Sequence, residues 1–221
     1  MEFVFLSLSP EFFQGFMNEG IIKKALVEKK ISARVIDFRD FSVDKHNCVD
    51  DTPYGGGCGM LIKPDALVRA FESIELKPAR KLILTSPAGK RFNQRYAESL
   101  AECEQLIFIC GRYEGIDERV SELLQPEIIS VGDYVLSNGE LAALVIFNAV
   151  SRLIPGVLGN SGSLNEESFN DEKLEYPQYT RPEIYRNLCV PEVLKSGNHK
   201  LINDWRKNRS IEKTSQRLNM G

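Results

Sequence analysis

The sequence predicts an α/β fold, a parallel sheet with helices on both faces, plus a small helical C-terminal domain. Three observations predict it. Short apolar runs alternate with amphipathic segments as far as residue 153, the pattern of a parallel sheet covered by helices. The pattern stops at 155–175, "PGVLGNSGSLNEESFNDEKLE", where Gly, Ser, Asn and acids dominate and no period survives, as in a linker. Beyond it the chain turns basic and helical. We divide it into a main domain at 1–158, a linker at 159–171 and a small basic domain at 172–221.

Each element has its own signal. "FVFLSLS" (3–9) reads as a buried strand, and Pro10 opens the helix "PEFFQGFM" as a first-turn proline can. "IIKKALVEKK" is a short amphipathic helix and "SARVIDF" a strand, followed by an irregular stretch at 40–63. "PDALVRAFESI" is a helix with Pro64 near its start. "KLILTSP" is a strand, and "NQRYAESLAEC" a helix capped by Asn93. "QLIFIC" is a strand ending at Gly111, and "DERVSELL" a short helix. "EIISVG" is a strand, and "GELAALVIFNAVSRL" a long apolar helix. After the linker, "PEVLKSGNHKLINDWRKNRSIEKTSQRL" offers two or three short helices.

Composition bounds the function. With 43% hydrophobic and 27% charged residues, the chain has ordinary globular composition. The longest apolar run, "LAALVIF", is far too short to span a bilayer. The N-terminus has neither a basic n-region nor a small-residue cleavage site, so no signal peptide is expected. Five scattered cysteines without a C-x-x-C pair suggest reduced thiols in a cytoplasmic protein. His46 and Cys48 could begin a metal site, but the only other histidine is His199, so no metal is expected. Net charge is −3, yet residues 172–221 hold ten Lys/Arg against six Asp/Glu, or +4, leaving −7 on the rest. A basic segment on an acidic body suits contact with a polyanion; a solvated helical face is the plain alternative.

The densest signal is "PYGGGCGM", four glycines in five positions at 55–59. Such a cluster is entropically costly to order, so something must require it. In an open α/β sheet, ligands bind beyond the carboxyl ends of the strands. Three of those ends carry small residues: "TSPAGK" (85–90), "CGRYEGIDERV" (110–120) and "SVGDYVLSNGEL" (130–141). Neither common phosphate motif is present, and the glycine cluster fits neither. A nucleotide-like ligand without a triphosphate or pyrophosphate cradle is the reading left.

These strings, with "DDTPYGGGCGM", "SRLIPGVLG", "YPQYTRPE" and "PEVLKSGNH", resemble the bacterial tRNA (guanine-N1-)-methyltransferases, members of the SPOUT superfamily. The resemblance runs from "SLSPEFF" to "SGNHKLINDWR" in the family's order. It implies a homodimer that uses S-adenosylmethionine to methylate guanine N1 just 3′ of the tRNA anticodon (position 37), supporting reading-frame maintenance. It also implies a deep trefoil knot, an exception among folds. By the same resemblance Thr85, Ser86, Pro87, Gly111, Tyr113, Val131, Gly132, Asp133, Tyr134, Val135, Leu136 and Gly139 form the cofactor pocket. Taken singly, Gly111 could simply end a strand and Tyr134 could belong to the core. The cofactor carries no phosphate, which removes the puzzle of the missing phosphate motifs.

The resemblance also assigns the chemistry. Guanine N1 must lose a proton before it attacks, so a carboxylate should take it and a cation or donor should stabilise charge on O6. Arg152 matches the family arginine in the second role. The family's base is an aspartate two residues before a Phe; here that position is Glu167, with Glu166 and Asp171 as neighbours. Glu114 of "RYEG" is implied near the methyl donor, orienting the target base. Two further departures are Asn138, where the family reads "SGGEL", and Cys58, where it usually has proline. Asn138 would bring a β-carbon into a tight loop, though Asn tolerates left-handed geometry. The glycine cluster resembles a loop that approaches ribose and a splayed base closely. Two rivals stay open: a SPOUT enzyme acting on ribosomal RNA or ribose hydroxyls, and an RNA-binding protein inactivated at the linker acid. Whether Mg2+ assists is also open.

Overall fold

The computed structural model describes residues 1–158, 167–169 and 173–219. The chain divides into two compact units, Met1–Gly159 and Asn160–Gly221.

The first unit is built on a five-stranded sheet. Its strands are β1 (Glu2–Ser7), β2 (Ser32–Asp37), β5 (Arg80–Arg91), β6 (Gln105–Ile109) and β7 (Glu127–Ser130), in the order β2-β1-β6-β5-β7. Every neighbouring pair is parallel. The central strands are apolar throughout because both faces are covered. Phe3, Phe5, Leu106 and Phe108 join one core with Phe13 and Phe147, while Val4, Leu6, Ile107 and Ile109 join the other with Phe38, Ile62 and Leu67. The first core is covered by α1 (Glu11–Met17), α2 (Gly20–Val27), α4 (Gln94–Ala101) and α6 (Gly139–Ser151). The second is covered by α3 (Pro64–Glu72) and α5 (Glu118–Leu124).

One cap falls where the sequence puts it: the Asn93 side chain accepts from the Tyr96 N–H at 2.9 Å. Asp117 caps α5 as well, accepting from Arg119 N at 3.0 Å. Asn138 corrects an expectation. It is extended, at φ −161°, not left-handed, and it caps α6 by accepting from Leu141 N at 3.3 Å.

Two stretches differ from the expected elements. Within 40–63 a short antiparallel pair forms, β3 (Asp50–Asp51) against β4 (Leu61–Ile62), clamping the base of the glycine cluster. Strand β5 runs past Pro87, bulges between Thr85 and Lys90, and pairs both with Ile129 of β7. Gly89 permits this return, because a β-carbon there would lie 2.5 Å from Ile128 backbone.

The second unit has a hairpin, β8 (Ile184–Tyr185) with β9 (Leu188–Cys189), then a single turn, α7 (Glu192–Lys195), and α8 (His199–Leu218). Where short helices were expected after Gly197, one 20-residue helix forms, since no Gly or Pro interrupts 198–218. It buries no side chain fully. Aromatic and basic residues hold it instead: Arg206 stacks over Tyr176, Arg217 over Phe169, and Trp205 meets Tyr179. The Ser210 hydroxyl donates to the Leu174 carbonyl at 2.6 Å, and Thr214 Oγ1 accepts from Leu174 N at 2.9 Å.

Candidate active site

Thr85 at the bulge of β5, the carboxyl end of β6 and the start of α6 converge on Gly139. Its N–H donates to the Gly111 carbonyl at 2.8 Å, and its own carbonyl accepts from Thr85 Oγ1 at 3.2 Å. The same hydroxyl reaches the Ile109 carbonyl at 3.4 Å. A β-carbon on Gly139 would fall 2.5 Å from Thr85 Oγ1, 2.7 Å from Gly111 N and 3.1 Å from Cys110 Cα. Only glycine fits. Gly111 therefore does more than end a strand: its carbonyl anchors the start of α6. Ser86 and Pro87 follow Thr85 in the β5 bulge, with Pro87 exposed.

The loop 131–136 hangs between β7 and α6. Ser130, buried, closes its first turn by accepting from Gly132 N at 3.2 Å and donating to the Gly132 carbonyl at 2.9 Å. The Tyr134 ring folds over Gly132, where a β-carbon would sit 2.3 Å from Cε1. Its hydroxyl donates to the Val131 carbonyl at 3.3 Å. Tyr134 is 56% exposed and Val135 86%, so neither belongs to the core. Asp133 pairs with Arg91 at 3.3 Å in solvent, a contact worth little. Leu136 is half-buried. The loop presents backbone and apolar surface together.

The glycine cluster meets the third loop. Gly55, Gly56, Gly57 and Gly59 all have positive φ, which explains why so many glycines are needed. At Gly59 a β-carbon would lie 2.4 Å from Glu114 Cγ. Glu114 N donates to the Met60 carbonyl at 3.1 Å, and the Ile62 N–H to the Gly115 carbonyl at 3.0 Å. The cluster thus braces the segment that carries Tyr113, left-handed at φ 58°, and Glu114. Behind it, hydrogen bonds from Arg119 hold the Asp117 carboxyl below its ordinary range, locking the start of α5.

Arg152 and Glu167 are placed differently. Arg152 is the C-cap of α6, thirteen residues from Gly139 along a helix rising about 1.5 Å per residue, so roughly 20 Å away. Within one chain it is not brought to the three loops. Glu167 belongs to the second unit and is half-buried. It adjoins Ser168, whose hydroxyl accepts from Glu175 N at 3.0 Å, and Phe169, which lies under Arg217. Glu166 and Asp171 lie outside the described residues.

One residue of the site escaped sequence reasoning. Glu140 reads as a first-turn acid favoured by the helix dipole. It is instead fully buried and accepts from the Ser7 hydroxyl at the end of β1 at 2.6 Å. Among the described residues no three His, Cys, Asp or Glu side chains are grouped to hold a metal ion.

The geometry gathers backbone groups of several loops around Gly139 on one parallel sheet. Comparison with known proteins identifies the family. Residues 1–220 match the family model described as "tRNA (Guanine-1)-methyltransferase TrmD". A protein of Persephonella marina named tRNA (guanine-N(1)-)-methyltransferase is 52% identical over 219 residues, 98% of this chain and 86% of the relative. Its namesake in Carboxydothermus hydrogenoformans is 52% identical over 214 residues, 97% of this chain and 84% of the relative. A third, from Latilactobacillus sakei, is 52% identical over 96% of this chain and 87% of the relative.

Proposed function

The chain belongs to the tRNA (guanine-1)-methyltransferase family, and from that premise we propose that it methylates N1 of the guanosine immediately 3′ of the tRNA anticodon, using S-adenosylmethionine. One observation carries the reading: Gly139 is wedged among Thr85, Cys110 and Gly111 with no room for a β-carbon. That close fit gathers three loops around one backbone-lined place. The residues suit the methyl donor, which has no phosphate and needs backbone partners and apolar walls. Thr85, Ser86 and Pro87, Gly111 and Tyr113, Val131 to Leu136, and Gly139 would hold it. Bound there, S-adenosylmethionine supplies a methyl group on a positively charged sulfur, with a neutral thioether as leaving group.

The chain's own residues do the rest. Glu114, braced by Gly59, orients the guanine. Glu167 takes the N1 proton, and Arg152 stabilises the charge that builds on O6. Because α6 separates Arg152 from Gly139 in one chain, Arg152 serves the pocket of a second copy, and the enzyme is a homodimer. The outer face of α6 supports this. Leu141, Val145 and Asn148 are exposed in a stripe that leads to Arg152, at the spacing of one helix face. By its family the sheet of the first unit would carry the trefoil knot.

The second unit contributes the tRNA backbone contacts through its basic residues, as a small tRNA-binding domain joined by the linker at 159–171. No helix of the described residues is long and apolar enough to cross a membrane, and we place the enzyme with its tRNA in the cytoplasm.

The test is methyl incorporation from S-adenosylmethionine into tRNA transcripts by the purified protein. Incorporation that vanishes when the guanosine 3′ of the anticodon is changed supports the reading. Transfer to ribosomal RNA or to ribose, or none at all, rejects it. Chelating divalent ions in the same assay decides whether Mg2+ assists.

A further inference from the structure

Glu140 is the one acidic side chain in the core of the first unit. It is wholly buried, and its only hydrogen-bond donor among the described residues is the neutral Ser7 hydroxyl, at 2.6 Å on Oε1. Ser7 Oγ is itself occupied as an acceptor, from Ser9 N at 3.0 Å. Oε2 has no hydrogen-bond partner among the described residues. A buried carboxylate so poorly compensated costs stability, and an apolar residue of similar volume would cost less. Its place is telling. It follows Gly139, the residue clasped by Thr85, Cys110 and Gly111, and the loop 131–136 runs directly into it. Its field reaches the end of β6: burial first, and then the charge of Glu140, push the Cys110 thiol well above its ordinary range.

We propose that Glu140 is a specificity-determining residue for the methyl donor: its buried carboxylate, lying behind the loops, favours the cationic sulfonium over the neutral thioether left after transfer. The proposal rests on the reading that these loops hold the donor. Methyl transfer moves CH3 from sulfur to guanine N1, the C–S bond pair stays on sulfur, and the N1 proton goes to the base. The sulfur therefore enters with one positive charge and leaves with none. In a poorly screened interior a negative charge acts beyond contact distance. It holds the donor and lets the spent product go without touching either. Ser7 acts as a positioning residue, fixing one carboxylate oxygen.

The experiment measures dissociation constants for S-adenosylmethionine and S-adenosylhomocysteine by calorimetry, with amide hydrogen exchange of the wild type alongside. E140Q, nearly isosteric but uncharged, should weaken S-adenosylmethionine about tenfold while moving S-adenosylhomocysteine less than about twofold, a shift within reach of one such charge. S7A keeps the charge and should keep the wild-type ratio of the two constants. Should E140Q not fold, S7A/E140M replaces both partners with apolar groups and should show the same loss of preference. If E140Q or S7A/E140M weakens both ligands equally, or neither, Glu140 does not discriminate charge and the proposal is overturned. If S7A alone abolishes the preference, geometry and not charge is responsible, which also overturns it. Hydrogen exchange separates the two levels. Donor-induced protection at 85–87, 111–113 and 131–139 with an unchanged ratio rejects this proposal alone; protection elsewhere rejects the pocket as well.

Discussion

Gly139 and Arg152 stand at opposite ends of one helix, α6, roughly 20 Å apart along its axis. The first is clasped by the loops that read as the cofactor pocket; the second is the arginine expected at the reacting guanine. An arginine side chain spans well under half that distance. The separation is the observation on which the proposal of shared active sites rests, and it sets the terms of the predictions below.

The glycine cluster supplies a matched pair of substitutions. Gly56 and Gly59 have nearly the same φ, +81° and +80°, but a β-carbon on Gly56 meets nothing within 4 Å while one on Gly59 strikes Glu114. G56A and G59A should share a similar left-handed strain, roughly 1–2 kcal/mol each. Only G59A should lose catalysis, by about 10²-fold in single-turnover rate, because it displaces a group that orients the base. Equal rates in the two variants would remove Glu114 from the site.

The base assignment is tested in the second unit. E167Q keeps size and polarity but cannot accept the N1 proton, so single-turnover transfer should fall about 10²–10⁴-fold, with donor affinity little changed. E167D restores the family's residue and should retain substantial activity. E166Q should be near neutral. Full activity in E167Q with a dead E166Q or D171N would move the register; wild-type rates in all three would end the mechanism.

The basic second unit should set salt dependence. Arg206 and Arg217 are engaged in stacking on Tyr176 and Phe169, which leaves Lys200, Lys207 and Lys213, all exposed on α8, as the better phosphate contacts. Each lysine that touches a phosphate should, when changed to alanine, lower the slope of log affinity against log salt by about 0.9. Donor binding should survive. An unchanged slope in the triple variant would make the helix structural only.

These residues also mark how far the sequence could be read. Strands such as "FVFLSLS" and "QLIFIC" were legible because both faces are buried, so the apolar run needs no period. Asn93 was legible as a cap because capping is local. What failed was non-local. Gly59 is explained by Glu114, 55 residues away, and the return of β5 past Pro87 by the backbone of β7. Glu140 gave no signal because its burial depends on Ser7, 133 residues distant. The length of α8 was underestimated because no apolar stripe announces a helix held by cation–π stacking and side-chain hydrogen bonds.

The most direct measurement mixes two inactive variants. R152A lacks the cation and G139V, whose side chain would enter the space of Thr85 and Gly111, lacks the pocket; each alone should form no 1-methylguanosine 3′ of the anticodon. After co-expression, half of randomly paired dimers combine the two variants, and each such dimer holds one intact site. Roughly a quarter of the wild-type rate should therefore return, read as 1-methylguanosine at that nucleotide by mass spectrometry of digested tRNA. No recovery, with mixed dimers shown to form, would contradict a site drawn from two chains. Absence of 1-methylguanosine from the wild-type reaction itself would contradict the function.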